Sequence, residues 1–265
     1  PAASEEYIAH LCEAEVEEGE INRAAFEVDC PLLSQYNLFA EADDPRSLPH
    51  EGGVPYVLNS KLFSDHATKY RVLFVPPGEQ AVYRDGQGGN NVNGTIDFPV
   101  GTVIAKTFSF KDGADEDIVE TRLLIHRDAG DGESLWEGMA YQWEVDDSGH
   151  RVEASLSLSG AKLSASWNYP DPDPEINKTY VGSTDDYVIP HPNQCGNCHN
   201  NEDRQPGDAP IGPKVRLLNR PMDYDSDGVP ETNQLQHWVD LGLLDSAPEL
   251  GVNSQLIATN AQRLP

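Results

Sequence analysis

The stretch "TVIAKTFSF", residues 102–110, decides the fold: it is rich in β-branched and aromatic residues and carries a single charge. It is too short for an ordinary helix and has the composition of a strand. The same texture recurs in "KYRVLFVPPG" (69–78), "IVETRLLIHR" (118–127), "GMAYQWEVD" (138–146) and "HRVEASLSLSG" (150–160), with Gly, Asp, Asn or Pro clusters between the runs. Several runs alternate apolar with polar, so residues 31–190 are expected to form an antiparallel β domain, a sandwich or an open barrel. "RDGQGGNNVNG" (84–94) has the glycine and asparagine content of an exposed hairpin tip. "NYPDPDPEINK" (168–178), dense in proline, is expected to be an extended connection on the surface.

On either side of the β text the pattern changes. Residues 5–18 place Ile8, Leu11, Cys12 and Glu15 at helical spacing on an acidic segment, and "PLLSQYNLFAE" (31–41) opens with a helix-compatible proline. Beyond Pro190, "QCGNCHNN" suits a short helix, "PIGPKVRLLN" a loop with a turn, and "TNQLQHWVDLGLL" (232–244) a helix with Leu235, Trp238 and Val239 on its apolar face. The expected organisation is therefore an acidic helical segment over 1–30, the β domain over 31–190, and a small helical unit with a tail over 191–265.

Charge narrows the partners. The chain has 45 acidic against 18 basic residues, a net −27, which repels nucleic acid and anionic lipid. No apolar run reaches the roughly 18 residues of a spanning helix, so no membrane span is expected. "PAASEEY" reads as a mature terminus left after cleavage at small residues. Cys12 and Cys30 flank an acidic stretch. In an oxidising compartment they would bond, closing a loop worth about 3 kcal/mol in chain-entropy terms. Two buried thiols are the alternative.

The other two cysteines stand in Cys195-Gly196-Asn197-Cys198-His199. Two thiols three positions apart on one helical turn can each add to a vinyl group of haem, and the adjacent imidazole then faces the iron from the same side. A zinc site would need two further soft ligands at matching spacing, and a thioredoxin-like pair would need a strand–helix context that this region lacks. The motif thus points to one covalently attached haem c, with His199 as proximal ligand, in the periplasm or outside the cell.

On the distal side Met222, 23 residues beyond His199, is the first candidate and His66 the second. His237 is the third; His191, His10 and His50 remain donors to this or a neighbouring molecule, whereas His126 and His150 read as structural or solvated. "PIGPKV" resembles the Gly-Pro stretch of small cytochromes c, whose proline carbonyl orients the proximal imidazole. Asp223, Asp225, Asp227, Gly228 and Glu231 fall at positions 1, 3, 5, 6 and 9 of a calcium loop, but position 12 is Gln234 where a bidentate glutamate belongs. Calcium and a plain acidic turn both stay open.

"VPYVLNSKLFSD", "DFPVGTVIAKTFSF", "ETRLLI", "YQW", "NQCGNCH", "PIGPKVRLLNR" and "NQLQHW", in this order, resemble a poorly characterised family of secreted β-rich proteins with a C-terminal c-type haem motif. Some of its members occur beside quinoprotein sugar-dehydrogenase-like or β-helix proteins. The resemblance spans roughly residues 31–250; it leaves out the segment with Cys12 and Cys30, and His66 and the "DSDG" stretch depart from the family pattern. It implies an electron-transfer cytochrome outside the cytoplasm, with Cys195, Cys198 and His199 at the haem, a cytochrome-c-like C-terminal unit, and redox proteins or copies of itself as partners. A subunit of an extracellular cytochrome polymer or multi-protein electron conduit is the alternative, and a haem peroxidase with an open iron site a further one.

Overall fold

The computed structural model describes residues 3–60, 63–84, 94–171, 177–199, 210–225, 228–229 and 232–248. Helix α1 is Glu5–Cys12. The strands are β1 (Val54–Pro55), β2 (Thr68–Phe74), β3 (Val82–Arg84), β4 (Thr95–Asp97), β5 (Val103–Asp112), β6 (Asp115–Gly130), β7 (Glu133–Val145), β8 (Arg151–Leu156), β9 (Ala161–Pro170) and β10 (Thr179–Ile189). Then follow α2 (Gly196–His199), α3 (Val215–Leu218), β11 (Pro221–Met222), β12 (Thr232–Asn233) and α4 (Gln234–Asp240).

The protein is β-rich and almost wholly antiparallel. One sheet runs β1-β2-β5-β6-β7-β8, and the β9–β10 hairpin joins it through a single parallel bridge, Asp112 to Asn168. β3 and β4 pair with each other antiparallel, and residues 85–93 of the glycine- and asparagine-rich stretch between them in sequence lie outside the described ones. Both faces of the central strands are covered, which is why "TVIAKTFSF" and "ETRLLI" carry apolar residues at successive positions.

Side-chain alternation gives each face its own core. On the first, Val72, Ala105, Leu123 and Met139 align across β2, β5, β6 and β7. The N-terminal segment covers them with Ile21, Phe26, Cys30, Leu33, Tyr36 and Leu38. Tyr141 Oη lies 2.9 Å from both the Cys30 carbonyl and the Tyr36 hydroxyl, and Arg127 donates to the carbonyls of Phe26 (2.6 Å) and Val28 (2.7 Å). The opposite face is covered at one end by the β9–β10 hairpin, through Ala165, Tyr187 and Ile189 against Phe108 and Phe110. At the other end Leu73, Ile104 and Trp136 meet the C-terminal Val215, Leu218, Leu235 and Trp238.

The helices are shorter than their periodicity predicts, each for a reason visible in the fold. α1 stops at Cys12, where the Asn22 amide donates to the Leu11 (2.9 Å) and Cys12 (3.3 Å) carbonyls and the Cys12–Cys30 disulfide begins, with Cα atoms 5.6 Å apart. The helix expected over 31–41 is a single 3-10 turn, Leu33–Tyr36, ended by Asn37 in the left-handed region (φ 49°). α4 ends at Asp240, and Gly242 (φ 72°) turns the chain so that Leu244 bridges Ala81. A short helix, α3, stands where a loop with a turn is expected.

Gln234 fastens the C-terminal segment to the sheet. Fully buried, it accepts from Val57 N–H (2.8 Å) and donates to the carbonyls of Val57 (3.0 Å) and Leu218 (3.1 Å). Its side chain thus acts as a strand partner for Val57.

Two stability predictions follow from these anchors. Cys12→Ser with Cys30→Ser should lower unfolding free energy by about 3 kcal/mol, read from denaturant midpoints, and reduced native protein should match the double variant. Gln234→Ala should cost about 1–3 kcal/mol, since it strands the buried Val57 amide; a loss under a few tenths would show that water replaces the bond.

Candidate functional site

β10 carries the chain directly into the cysteine motif. Ile189 is buried at its end, and Gly160 allows the approach: a Cβ there would lie 2.8 Å from the Ile189 carbonyl oxygen and 3.1 Å from the His191 nitrogen. His191 caps the next turn, its Nδ1 accepting from Asn193 N–H (3.1 Å) while Gln194 Oε1 accepts from His191 N–H (3.0 Å). Pro192–Gln194 forms a 3-10 turn, Cys195 N–H donates to the Pro192 carbonyl (3.1 Å), and His199 N–H donates to the Cys195 carbonyl (3.0 Å). Cys195, Cys198 and His199 thereby fall on one continuous helical turn, as their spacing predicts.

This turn forms one wall of a cavity over the second face of the sheet. Cys195 and His199 line it together with Ile211, Gly212 and Pro213, so the segment resembling a cytochrome Gly-Pro stretch is brought to the side of His199. Tyr56, Leu58, Ile104 and Leu124 give it further apolar walls.

Its floor is cationic. The register sets Arg71 on β2 opposite Lys106 on β5, and Lys106 opposite Arg122 on β6, all three lining the cavity. Like charges directly opposite across strands repel, and removing each from water costs several kcal/mol. One carboxylate reaches this row: Arg122 Nε donates to Glu120 (2.8 Å), which also accepts from the Tyr187 hydroxyl (2.6 Å). Arg71 is 4% exposed, and its Nη2 is buried with no hydrogen-bond partner among the described residues. Lys106 has no carboxylate partner among them; burial, then the charges of Arg71, Arg122 and Lys69, push its ammonium down to about 7. Phe108 spreads its ring beneath, 4.8 Å from Lys106 Nζ and 4.3 Å from the Arg122 guanidinium carbon. Burial pulls the Arg122 guanidinium down, but the hydrogen bond and charge of Glu120 outweigh it and hold the group above its ordinary value.

These residues fit haem c on their own chemistry. Cys195 and His199 face a cavity with apolar walls, suited to a porphyrin, and a floor where three cations meet one carboxylate, suited to its acidic edge. Nothing in the sequence marks Arg71, Lys106 and Arg122 as a group, because they lie on three strands. The available signal is a basic residue beside apolar ones in each of three strand runs.

The other candidates lie elsewhere. Met222 sits in β11 opposite Thr232, and the described cavity lining includes neither it nor His66. The second methionine, Met139, lines the cavity but turns its sulfur away, toward the Tyr36 (3.4 Å) and Tyr141 (3.3 Å) hydroxyls in the opposite core. His66, with φ 69°, stacks on Trp167 at 4.7 Å and lies 3.2 Å from Tyr169 Oη. His237 stacks on Tyr224 at 3.7 Å. His126 has both ring nitrogens engaged, by the Phe98 carbonyl and Ser134 Oγ, and His150 is largely exposed; both match a structural or solvated role. His50 Nδ1 contacts the Asn37 carbonyl, and His10 is exposed on α1.

In the calcium-like loop Asp223 Oδ2 accepts from Gly228 N–H (2.8 Å) and Asp225 is exposed. Asp227 and Glu231 lie outside the described residues. Gln234, at the twelfth position of the pattern, is committed to Val57 and Leu218.

No family model matches the chain, and no curated protein or solved structure is similar enough to it to count as a match.

The Lys106 environment sets a pH dependence. Its folded value of about 7 lies below its ordinary 10.5, so between these limits the unfolded chain holds a proton that the folded chain has lost. Stability therefore rises with pH across that window. In a Cys195→Ala/Cys198→Ala background, Lys106→Met should flatten the rise and raise the denaturant midpoint at pH 7; an unchanged profile would assign the rise to other groups.

Proposed function

We propose that this chain is a c-type haem protein. More narrowly, it is a monohaem cytochrome of an oxidising compartment, periplasmic or extracellular, that passes electrons between protein partners. The observation that carries this reading is the juxtaposition of Cys195, Cys198 and His199 on one turn with a cavity that is apolar on its walls and cationic on its floor. Cys195 and Cys198 would hold the haem by thioether bonds and His199 would ligate the iron. When bound, the haem supplies a one-electron couple whose potential depends on axial ligation, burial and nearby charge.

The chain's part is to hold and shield. The turn from Pro192 to His199 fixes the spacing of the two thiols and the imidazole. Segment 210–213 and the sheet keep water from the buried side, and Arg71, Lys106 and Arg122 set the local charge. The Cys12–Cys30 bond suits the same compartment, and no described helix is long and apolar enough to cross a membrane.

Expression with a c-type maturation system tests the reading. Denatured native protein should retain one haem per chain, seen as a haemochrome spectrum and an added mass on the peptide containing residues 195–199. Cys195→Ala/Cys198→Ala should carry none. A native chain that emerges without covalent haem would overturn the proposal. Comparing native and Met222→Ala oxidised spectra identifies the distal side: loss of a far-red sulfur-to-iron band assigns Met222, and an unchanged low-spin spectrum removes it in favour of a histidine.

A further inference from the structure

We propose that Arg71, Lys106 and Arg122 form the seat for the two propionate carboxylates of the haem, fixing the acidic edge of the group whose other attachments are Cys195, Cys198 and His199. This rests on the haem reading above and adds to it three positioning residues that the attachment motif does not contain.

The argument is one of charge matching. Three cations stand side by side on β2, β5 and β6, and Glu120 answers one of them. Arg71, and Lys106 as a group that a facing carboxylate would keep protonated, are left over, facing the cavity that Cys195 and His199 also line. A chain with 45 carboxylic side chains places no second one against Arg71 or Lys106 among its described residues. The buried, unpartnered Nη2 of Arg71 is a donor without an acceptor in a cavity otherwise walled by apolar side chains. A ligand suited to this place has an apolar body and two carboxylates at one edge. Haem has that form, and its thioether attachment would hold it within reach of the row. Guanidinium and ammonium donors to a carboxylate are charge-assisted bonds, shorter and stronger than neutral ones.

Removing a cation from an ionised propionate favours the oxidised haem, which carries one more positive charge. Arg71→Met and Lys106→Met should each shift the oxidised-to-reduced ratio at fixed potential on the order of tenfold toward the oxidised form. That is a fall of about 59 mV for a one-electron couple. Redox titration of the holoprotein reads it directly. Lys162→Met, which removes an exposed charge paired with Asp186, controls for net charge and should stay within about twofold of native. Arg71→Lys should restore most of the native value. A role limited to stability would move the denaturant midpoint without moving the ratio.

The outcomes separate the two proposals. Covalent haem in every variant with tenfold shifts at Arg71 and Lys106 supports the seat. Covalent haem with shifts no larger than that of Lys162→Met overturns the seat and leaves the cytochrome standing. Absence of covalent haem from the native chain overturns both. Should a methionine variant fail to accumulate, Arg71→Gln and Lys106→Gln keep a polar head in the cavity and are judged by the same titration.

Discussion

The register of β2 against β5, and of β5 against β6, is the constraint on which the other features depend. In that register Val72, Ala105 and Leu123 share one face with the N-terminal segment, and Arg71, Lys106 and Arg122 share the other. A slip of one residue exchanges the faces. It would push the guanidinium and ammonium groups into the Cys12–Cys30 side of the core and leave the cavity without its floor. The N-terminal segment guards against this: Tyr141, Tyr36 and the Cys30 carbonyl meet in one buried cluster that a slipped strand could not form. The N-terminal segment thus protects the geometry of a cavity on the far face of the sheet.

Local features were the ones legible in the sequence. Strand runs, the cysteine turn and the Cys12–Cys30 pairing depend on neighbours along the chain or on chemistry that few arrangements satisfy. Helix lengths were less legible, because tertiary bonds end them: Asn22 closes α1 from ten residues away, and Gln234 gives its side chain to Val57 across the fold. The cationic floor was not legible at all. Lys106 in "TVIAKTFSF" looks like an isolated charge in a strand and Arg122 in "ETRLLI" like the partner of Glu120, and only the pairing of separate strands makes the two cations neighbours. The histidines divide in the same way. His126 could be read as structural from its strand, but the stacking of His66 on Trp167 depends on how the β9–β10 hairpin folds over.

The net charge of −27 hides a local inversion. Beyond the screening length, about 8 Å at physiological ionic strength, an approaching body senses the acidic exterior. Inside the cavity the nearest charges are positive, and the low-dielectric walls leave them poorly screened. A count over the whole chain therefore describes encounters at the surface and has the wrong sign for the cavity.

The β9–β10 hairpin has one end at the motif and the other far from it. β10 delivers Ile189 to the cysteine turn, while the opposite end closes between Asp171 and Lys178, where Asp171 N–H donates to the Lys178 carbonyl. At roughly 3.3 Å per residue, a ten-residue strand extends about 30 Å from its Ile189 end to that outer end. The hairpin is thus a lever arm: a fluorophore or tether at its outer end sits a strand's length from the Ile189 end, away from the turn that carries the cysteines.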